Sequence, residues 1–248
     1  MSAVSPARTR RALLCSVAGF VIFCVGMIYG VWFNRDHVFP YRLLERLFVD
    51  DRNASIDPSA SPWYRERRGV FETFPQHGRV LMFGDSLTEA ADWTAMLPGI
   101  GAAVNQGISA DTTVGMLKRV DLANATKART VAIMAGINDL RSGEPVDQVF
   151  KRYRQLIQEL EAPNRCIIVQ STLLTRGVEP VNDSVRALNG NLKRACEGDR
   201  CRFLDLNPVL APEGELLPEV TVDGLHLSGR GYSLWRDALL PALAECTR

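Results

Sequence analysis

The sequence predicts an α/β fold, a parallel sheet of five strands covered by helices on both faces, preceded by one N-terminal transmembrane helix. Three observations carry that prediction: an uncharged apolar run at 12–33, an alternation of short strand-like runs with longer helix-period segments after residue 62, and Gly, Asn or Asp closing strand after strand. A chain of 248 residues with 46% apolar and 23% charged composition has material for one substantial domain and an appendage. Its formal net charge is +1, and its Lys and Arg are scattered, so no basic stripe marks a nucleic-acid partner.

The run 12–33 contains no charged residue, and at about 1.5 Å per residue a helix of that length crosses a hydrocarbon core. Arg8, Arg10 and Arg11 precede it without an acidic neighbour, while Arg35 and Asp36 nearly cancel behind it. The positive-inside rule therefore places residues 1–11 in the cytoplasm and exports the rest, to the periplasmic face of the inner membrane if the host is bacterial. A cleaved signal peptide is the competing reading; the run exceeds the usual signal core, and no small-x-small site follows it before Asn34. Residues 34–61 form a juxtamembrane stretch. Tyr41, Leu44, Leu47 and Phe48 predict a short amphipathic helix over 40–50, and 51–61, rich in Asp, Ser, Asn and Pro, reads as a linker. The folded domain is expected over 62–248.

Within it, 79–83, 102–105, 130–135, 166–170 and 202–206 are short apolar runs of strand type, each bounded by Gly, Asn or Asp. Helical spacing runs over 112–123, 145–160, 184–196 and 228–246. Four cysteines fall in this domain: Cys166, Cys196, Cys201 and Cys246. An exported compartment would permit disulfides, with Cys196 and Cys201, close together across a helix-to-strand turn, the first pair to test; four free thiols is the alternative. Neither the cysteine spacing nor the three histidines His37, His77 and His226 resembles a zinc site, and no metal is expected. Asn-x-Ser/Thr triplets begin at Asn53, Asn124 and Asn182, as they often do by chance.

The chemistry gathers at strand ends. Strand 79–83 runs into Gly84-Asp85-Ser86-Leu87, so the Ser86 hydroxyl stands where open α/β sheets place their ligands, with a following helix directing free N–H groups at the same spot. Asp223 and His226 are separated by one tight turn, which lets the carboxylate meet Nδ1 and leaves Nε2 to take a proton from a serine. Gly107 closes the second strand and can offer an unobstructed N–H; Asn138, after the third strand, offers a side-chain amide; both suit a developing oxyanion, together with the N–H of Ser86. Each element alone is an ordinary turn or cap. Their joint presence at the ends of one sheet favours acyl transfer.

In this order the elements resemble the sequence blocks of the SGNH/GDSL hydrolase family. Gly84-Asp85-Ser86-Leu87, Gly107, Gly136-x-Asn138-Asp139 and Asp223-x-x-His226 match its successive blocks, and the likeness covers about residues 78–245. The resemblance implies a three-layer α/β/α sandwich of flavodoxin-like type, Ser86 as nucleophile, His226 as base, Asp223 as its orienting carboxylate, and no cofactor. The stretch 107–113 is similar to the branch of platelet-activating-factor acetylhydrolase-like and bacterial carbohydrate acetylesterase proteins. That branch commonly has glycine where this chain has Ala110, and a positive φ there would strain alanine.

The expected function is a membrane-anchored serine esterase acting on short-chain esters, O-acetyl groups of an exported glycan above all. A lysophospholipase- or thioesterase-like acyl hydrolase, an O-acyltransferase using the same serine, and a noncatalytic anchored module are the alternatives. Trp93, Asp111 and Leu173, with Asp92 and the 173–181 loop, are candidates for the substrate-binding border; Trp93 reads equally as a core anchor. The expected partners are the ester substrate and, through 12–33, the membrane.

Overall fold

The computed structural model describes residues 57–198 and 200–246. The predicted transmembrane run 12–33 and amphipathic helix 40–50 lie outside them; among the described residues no helix is long and apolar enough to cross a membrane. In chain order the elements are α1 (Pro62–Thr73), β1 (Val80–Gly84), α2 (Ser86–Glu89), α3 (Trp93–Met96), β2 (Ala103–Gly107), α4 (Thr113–Leu117), α5 (Val120–Ala125), β3 (Thr130–Met134), α6 (Ile137–Arg141), α7 (Val146–Leu160), β4 (Cys166–Gln170), α8 (Glu179–Ala195), β5 (Arg202–Leu204), α9 (Asn207–Leu210) and α10 (Gly229–Glu245).

The five strands are all parallel in the order β2-β1-β3-β4-β5, the sheet of a three-layer α/β/α domain. A parallel sheet is buried on both faces, which is why β1 and β3 read as continuous apolar runs: every residue of both is buried. Helices cover it with apolar faces at helical spacing. On α7 these are Val149, Tyr153, Leu156 and Leu160; on α10 they are Trp235, Leu239 and Leu243. Trp93 meets Trp235 edge-on at 5.0 Å, and Trp235 Nε1 donates to Gln170 Oε1 at the end of β4. Burying such a side chain is worth about 1.5–3 kcal/mol.

Two helical segments differ from expectation. The stretch 112–123 breaks into α4 and α5 at Arg119, whose backbone leaves the helical region (φ −133, ψ 17) so that its side chain turns into the protein. Helix α8 begins five residues before Ser184, because Pro180 occupies its first turn, where a missing N–H costs nothing. Residues 57–61 also belong to the folded domain. Asp57 caps the turn Pro58–Ala60, and Lys118 reaches Asp57 and Ser59. The same Asp, Ser and Pro composition serves a linker or a capped turn, and only the partner at Lys118 distinguishes them.

All four cysteines of the domain are paired, Cys196 with Cys201 and Cys166 with Cys246. The second bridge joins the start of β4 to the end of α10 across 80 residues of sequence. Replacing Cys166 and Cys246 by serine should lower stability by about 2–4 kcal/mol, chiefly through the freed unfolded chain. In thermal unfolding that is a fall of roughly 5–15 °C for a domain of this size; an unchanged midpoint would show that the bridge does not constrain the unfolded chain. Asn182, the third possible glycan acceptor, is buried and bonded to Thr175, which removes it from that role.

Candidate active site

Strand order reverses between β2 and β3 around β1, and the crevice at such a switch point is where doubly wound sheets bind ligands. Ser86 sits there as the first residue of α2, its turn fastened by Asp85, whose Oδ1 accepts the N–H of Leu87. Gly84 is required at this bend: a Cβ would lie 2.3 Å from Thr88 Oγ1 and 2.6 Å from the carbonyl oxygen of Met134. Asp85 is wholly buried, and burial pushes its carboxyl up to about 7.

His226 arrives from the loop before α10. Its Nε2 lies 3.1 Å from Ser86 Oγ, and its Nδ1 lies 2.6 Å from Asp223 Oδ2. Asp223 Oδ1 accepts the N–H groups of His226 and Leu225, Thr221 Oγ1 donates to the His226 carbonyl, and Val222 N–H donates to the same oxygen. Partial burial raises the Asp223 carboxyl, but the hydrogen bonds from the His226 ring and these backbone groups outweigh it and hold it below the usual range. An ionised Asp223 accepts the Nδ1 proton, which leaves Nε2 as an acceptor for the serine hydroxyl. Gly224, at φ +91, closes the turn and lies against Arg176, whose N–H donates to the Gly224 carbonyl.

Asn138 stands at the mouth of β3, after Gly136 in the left-handed region (φ +105). Its Nδ2 donates to the Asp111 carbonyl at 2.8 Å, joining it to the loop after β2. Asp139 accepts the N–H and hydroxyl of Thr113, with Arg152 3.5 Å away. The sequence therefore brings Ser86, Asp223, His226 and Asn138 to one edge of the sheet.

Gly107 does not join them. It is buried, and its N–H donates to Asn105 Oδ1 at 2.9 Å. A Cβ at Gly107 would lie 2.2 Å from the Glu89 nitrogen, so the glycine serves close packing of β2 against α2. The exposed residue of this loop is Ala110, whose N–H has no hydrogen-bond partner among the described residues and whose carbonyl neighbour Asp111 is bonded to Asn138. Ala110 takes φ +60, a conformation that costs a non-glycine residue on the order of 1 kcal/mol or more.

The three proposed border residues are likewise placed elsewhere. Trp93 is 1% exposed against Trp235, and Leu173 is fully buried in the main core. Asp111 is 1% exposed and paired with Arg119 at 2.8 Å. Each has a partner that removes it from solvent, and no sequence pattern reported those partners. Burial pushes the Asp111 carboxyl up to about 6, against the pull of Arg119. Arg119 itself is the main residue that sequence reasoning missed. Fully buried, it donates to the carbonyls of Gln106 and Gly84, each at 2.8 Å, and lies 4.4 Å over the Phe83 ring. One guanidinium thus ties the ends of β1 and β2 to the loop carrying Ala110. In sequence it sits beside Lys118 inside the helical pattern 112–123, where no local signal separates a buried arginine from a solvated one.

A parallel doubly wound sheet here aligns a hydroxyl, an imidazole and a carboxylate at its switch point, an arrangement able to support nucleophilic acyl transfer. The chain belongs to the GDSL-like lipase/acylhydrolase family, whose model matches residues 82–234, and is an enzyme of the GDSL esterase/acylhydrolase type. It is similar to isoamyl acetate-hydrolyzing esterase of Saccharomyces cerevisiae, with 24% identity over 203 residues that cover 66% of this chain and 85% of the relative. An N-acylneuraminate cytidylyltransferase of Streptococcus agalactiae serotype V is 26% identical over 175 residues, 69% of this chain. The chain spans only 40% of that relative's length. Among solved structures, an acetylxylan esterase of Geobacillus stearothermophilus shares the fold at a TM-score of 0.55 and 21% identity, over 68% of this chain and 94% of the other.

Proposed function

We propose that the domain hydrolyses short-chain esters, O-acetyl esters of an exported glycan in particular, through an acyl-enzyme on Ser86. The observation that carries this reading is the continuous line from Ser86 Oγ through His226 to Asp223, at 3.1 and 2.6 Å. His226 Nε2 takes the hydroxyl proton as Ser86 Oγ attacks the ester carbonyl, and the imidazolium then protonates the departing alcohol. Water, deprotonated by the same nitrogen, attacks the acyl-serine carbonyl and releases the acid. Asp223 keeps the proton on Nδ1 and stabilises the imidazolium.

The oxyanion is held by the N–H groups of Ser86 and Ala110 and by Asn138 Nδ2, with Ala110 replacing Gly107 because the Gly107 N–H is already committed to Asn105. Asn138→Ala should lower turnover by about 10²–10³-fold with a much smaller change in KM, since the lost bond strengthens mainly in the transition state. Equal losses of affinity and turnover on the substrate series would remove Asn138 from this role.

The preference for a short acyl group is supported by the acetate ester named for the yeast relative, and the glycan by the acetylxylan esterase that shares the fold. Export on an uncleaved anchor at 12–33, with the domain on the periplasmic side if the host is bacterial, is supported by Arg8, Arg10 and Arg11 and by two disulfides, which an oxidising compartment sustains. Turnover of acetyl, butyryl and long-chain nitrophenyl esters by the full-length chain tests the chemistry: activity should fall steeply with chain length. A long-chain optimum would move the substrate to lipid, and a cytoplasmic signal from a C-terminal topology reporter would overturn the export.

A further inference from the structure

Helix α1 lies before the residues matched by the family, yet it packs against the loop that carries Ala110. Tyr64 and Phe71 of α1 form a small cluster of their own with Ile108, apart from the main core, and all three are buried. Tyr64 also donates its hydroxyl to the Gly115 carbonyl at 2.7 Å, just beyond the loop. A second set of contacts converges on Glu89, the last residue of the helix that Ser86 begins. Glu89 Oε2 accepts the N–H of Ser109 at 2.7 Å and the Ser109 hydroxyl, with Trp63 Nε1 at 3.4 Å. Arg67 Nε lies 2.9 Å from Glu89 Oε1, a charge contact more than an aligned hydrogen bond.

Ser109 is bonded immediately before the strained Ala110, and Asp111 immediately after it is gripped by Arg119 and Asn138. A left-handed alanine persists only where its surroundings over-determine it. Glu89 supplies the hold on one side, Arg119 the hold on the other.

We infer that Glu89 and α1 form a brace that sets the Ser109–Ala110 peptide, making Glu89 a positioning residue for ester hydrolysis and α1 part of the working site. The inference rests on the assignment of the Ala110 N–H to the oxyanion. Ester turnover depends on donors held near the oxyanion position, and a displacement of about 1 Å forfeits much of their effect. The Glu89 side chain bonds to Ser109, Trp63 and Arg67 and not to Ser86 or His226; its part is the angle at which Ala110 presents its N–H.

The test uses the full-length chain, an acetyl nitrophenyl ester, its thionoester (C=S) counterpart and a serine-reactive phosphonate. Glu89→Ala should lower kcat by about 10–100-fold, a fraction of what losing a whole oxyanion donor costs, while KM stays within about threefold. The preference for the oxygen ester over the thionoester should narrow, because sulfur accepts hydrogen bonds poorly and gains little from a well-placed donor. Glu89→Gln keeps an acceptor for Ser109 and should restore most of kcat. If Glu89→Ala fails to fold, the double variant Trp63→Phe, Arg67→Met, which leaves Glu89 in place, should still lower kcat by about 3–10-fold. Folded variants with wild-type kcat and an unchanged oxygen-to-thiono preference would overturn the brace while leaving the hydrolase reading intact. A wild type that neither reacts with the phosphonate nor cleaves esters would overturn the hydrolase reading and the brace with it.

Discussion

Ser86→Ala is expected to lower ester hydrolysis by about 10⁴–10⁶-fold from the wild-type rate while leaving the fold intact. Only one atom of the protein is lost. The hydroxyl makes a single side-chain contact, with His226 Nε2, and stands half-exposed at the head of α2, so its removal opens no core cavity and strands no buried partner. The turn that presents it depends on Gly84 and on the cap from Asp85, and both remain. On the proposed mechanism, what disappears is the oxygen that would carry the acyl group, leaving only the oxyanion donors to accelerate attack by water. Kinetics on the acetyl nitrophenyl ester, with circular dichroism on the same samples, gives the result directly. A folded Ser86→Ala protein with more than a tenth of wild-type turnover would sink the acyl-enzyme mechanism, and the search for a nucleophile would start again.

The second large effect lies away from the reacting atoms. Arg119→Met should destabilise the domain by about 3–5 kcal/mol, because it leaves the carboxylate of Asp111 buried without its counter-charge. The two side chains are both inaccessible, and the guanidinium also satisfies the carbonyls of Gln106 and Gly84 at the ends of two strands. Methionine matches much of the volume and keeps contact with Phe83, so the loss measured is that of charge and hydrogen bonds. Burial already raises the Asp111 carboxyl to about 6; without Arg119 the protonated form becomes easier still to reach. The sign follows: Asp111 has a higher pKa folded than unfolded, so the penalty is smallest in acid and grows as pH rises through the folded pKa. Unfolding of Arg119→Met should therefore be nearest wild type at about pH 5 and furthest from it at about pH 8. Equal stability of the two proteins at pH 8 would show that the pair is not what holds the loop. The same variant should lose ester turnover at temperatures where it remains folded, since the Asp111 side of Ala110 is then held by Asn138 alone.

Strand positions were legible because parallel strands buried on both faces must be short, apolar and closed by turn residues, and the five runs each contain or overlap an observed strand. The line from Ser86 to Asp223 was legible for a related reason. Its spacing is local at each end, Gly-Asp-Ser at a strand-to-helix bend and Asp-x-x-His in one turn, and only their meeting across 140 residues needed the sheet. The disulfide Cys196–Cys201 was visible as a sequence neighbourhood; Cys166–Cys246 required knowing that α10 ends beside the start of β4. At Gly107 expectation and structure part, because a glycine at a strand end looks the same in sequence whether it frees an N–H or makes room for Glu89.

By itself, then, the sequence determined the class of fold, the order of its strand-like runs and the residues able to form a nucleophile, base and carboxylate, because periodicity and short turns act over distances of a few residues. Tertiary structure alone decided which polar groups face solvent. Ala110 is exposed at φ +60, Asp111 and Arg119 are sealed together beneath it, Trp93 and Leu173 lie in the core, and α1 leans on the loop through Ile108 and Glu89. Burial and pairing depend on partners tens of residues away, and no local pattern encodes which partner the fold will bring.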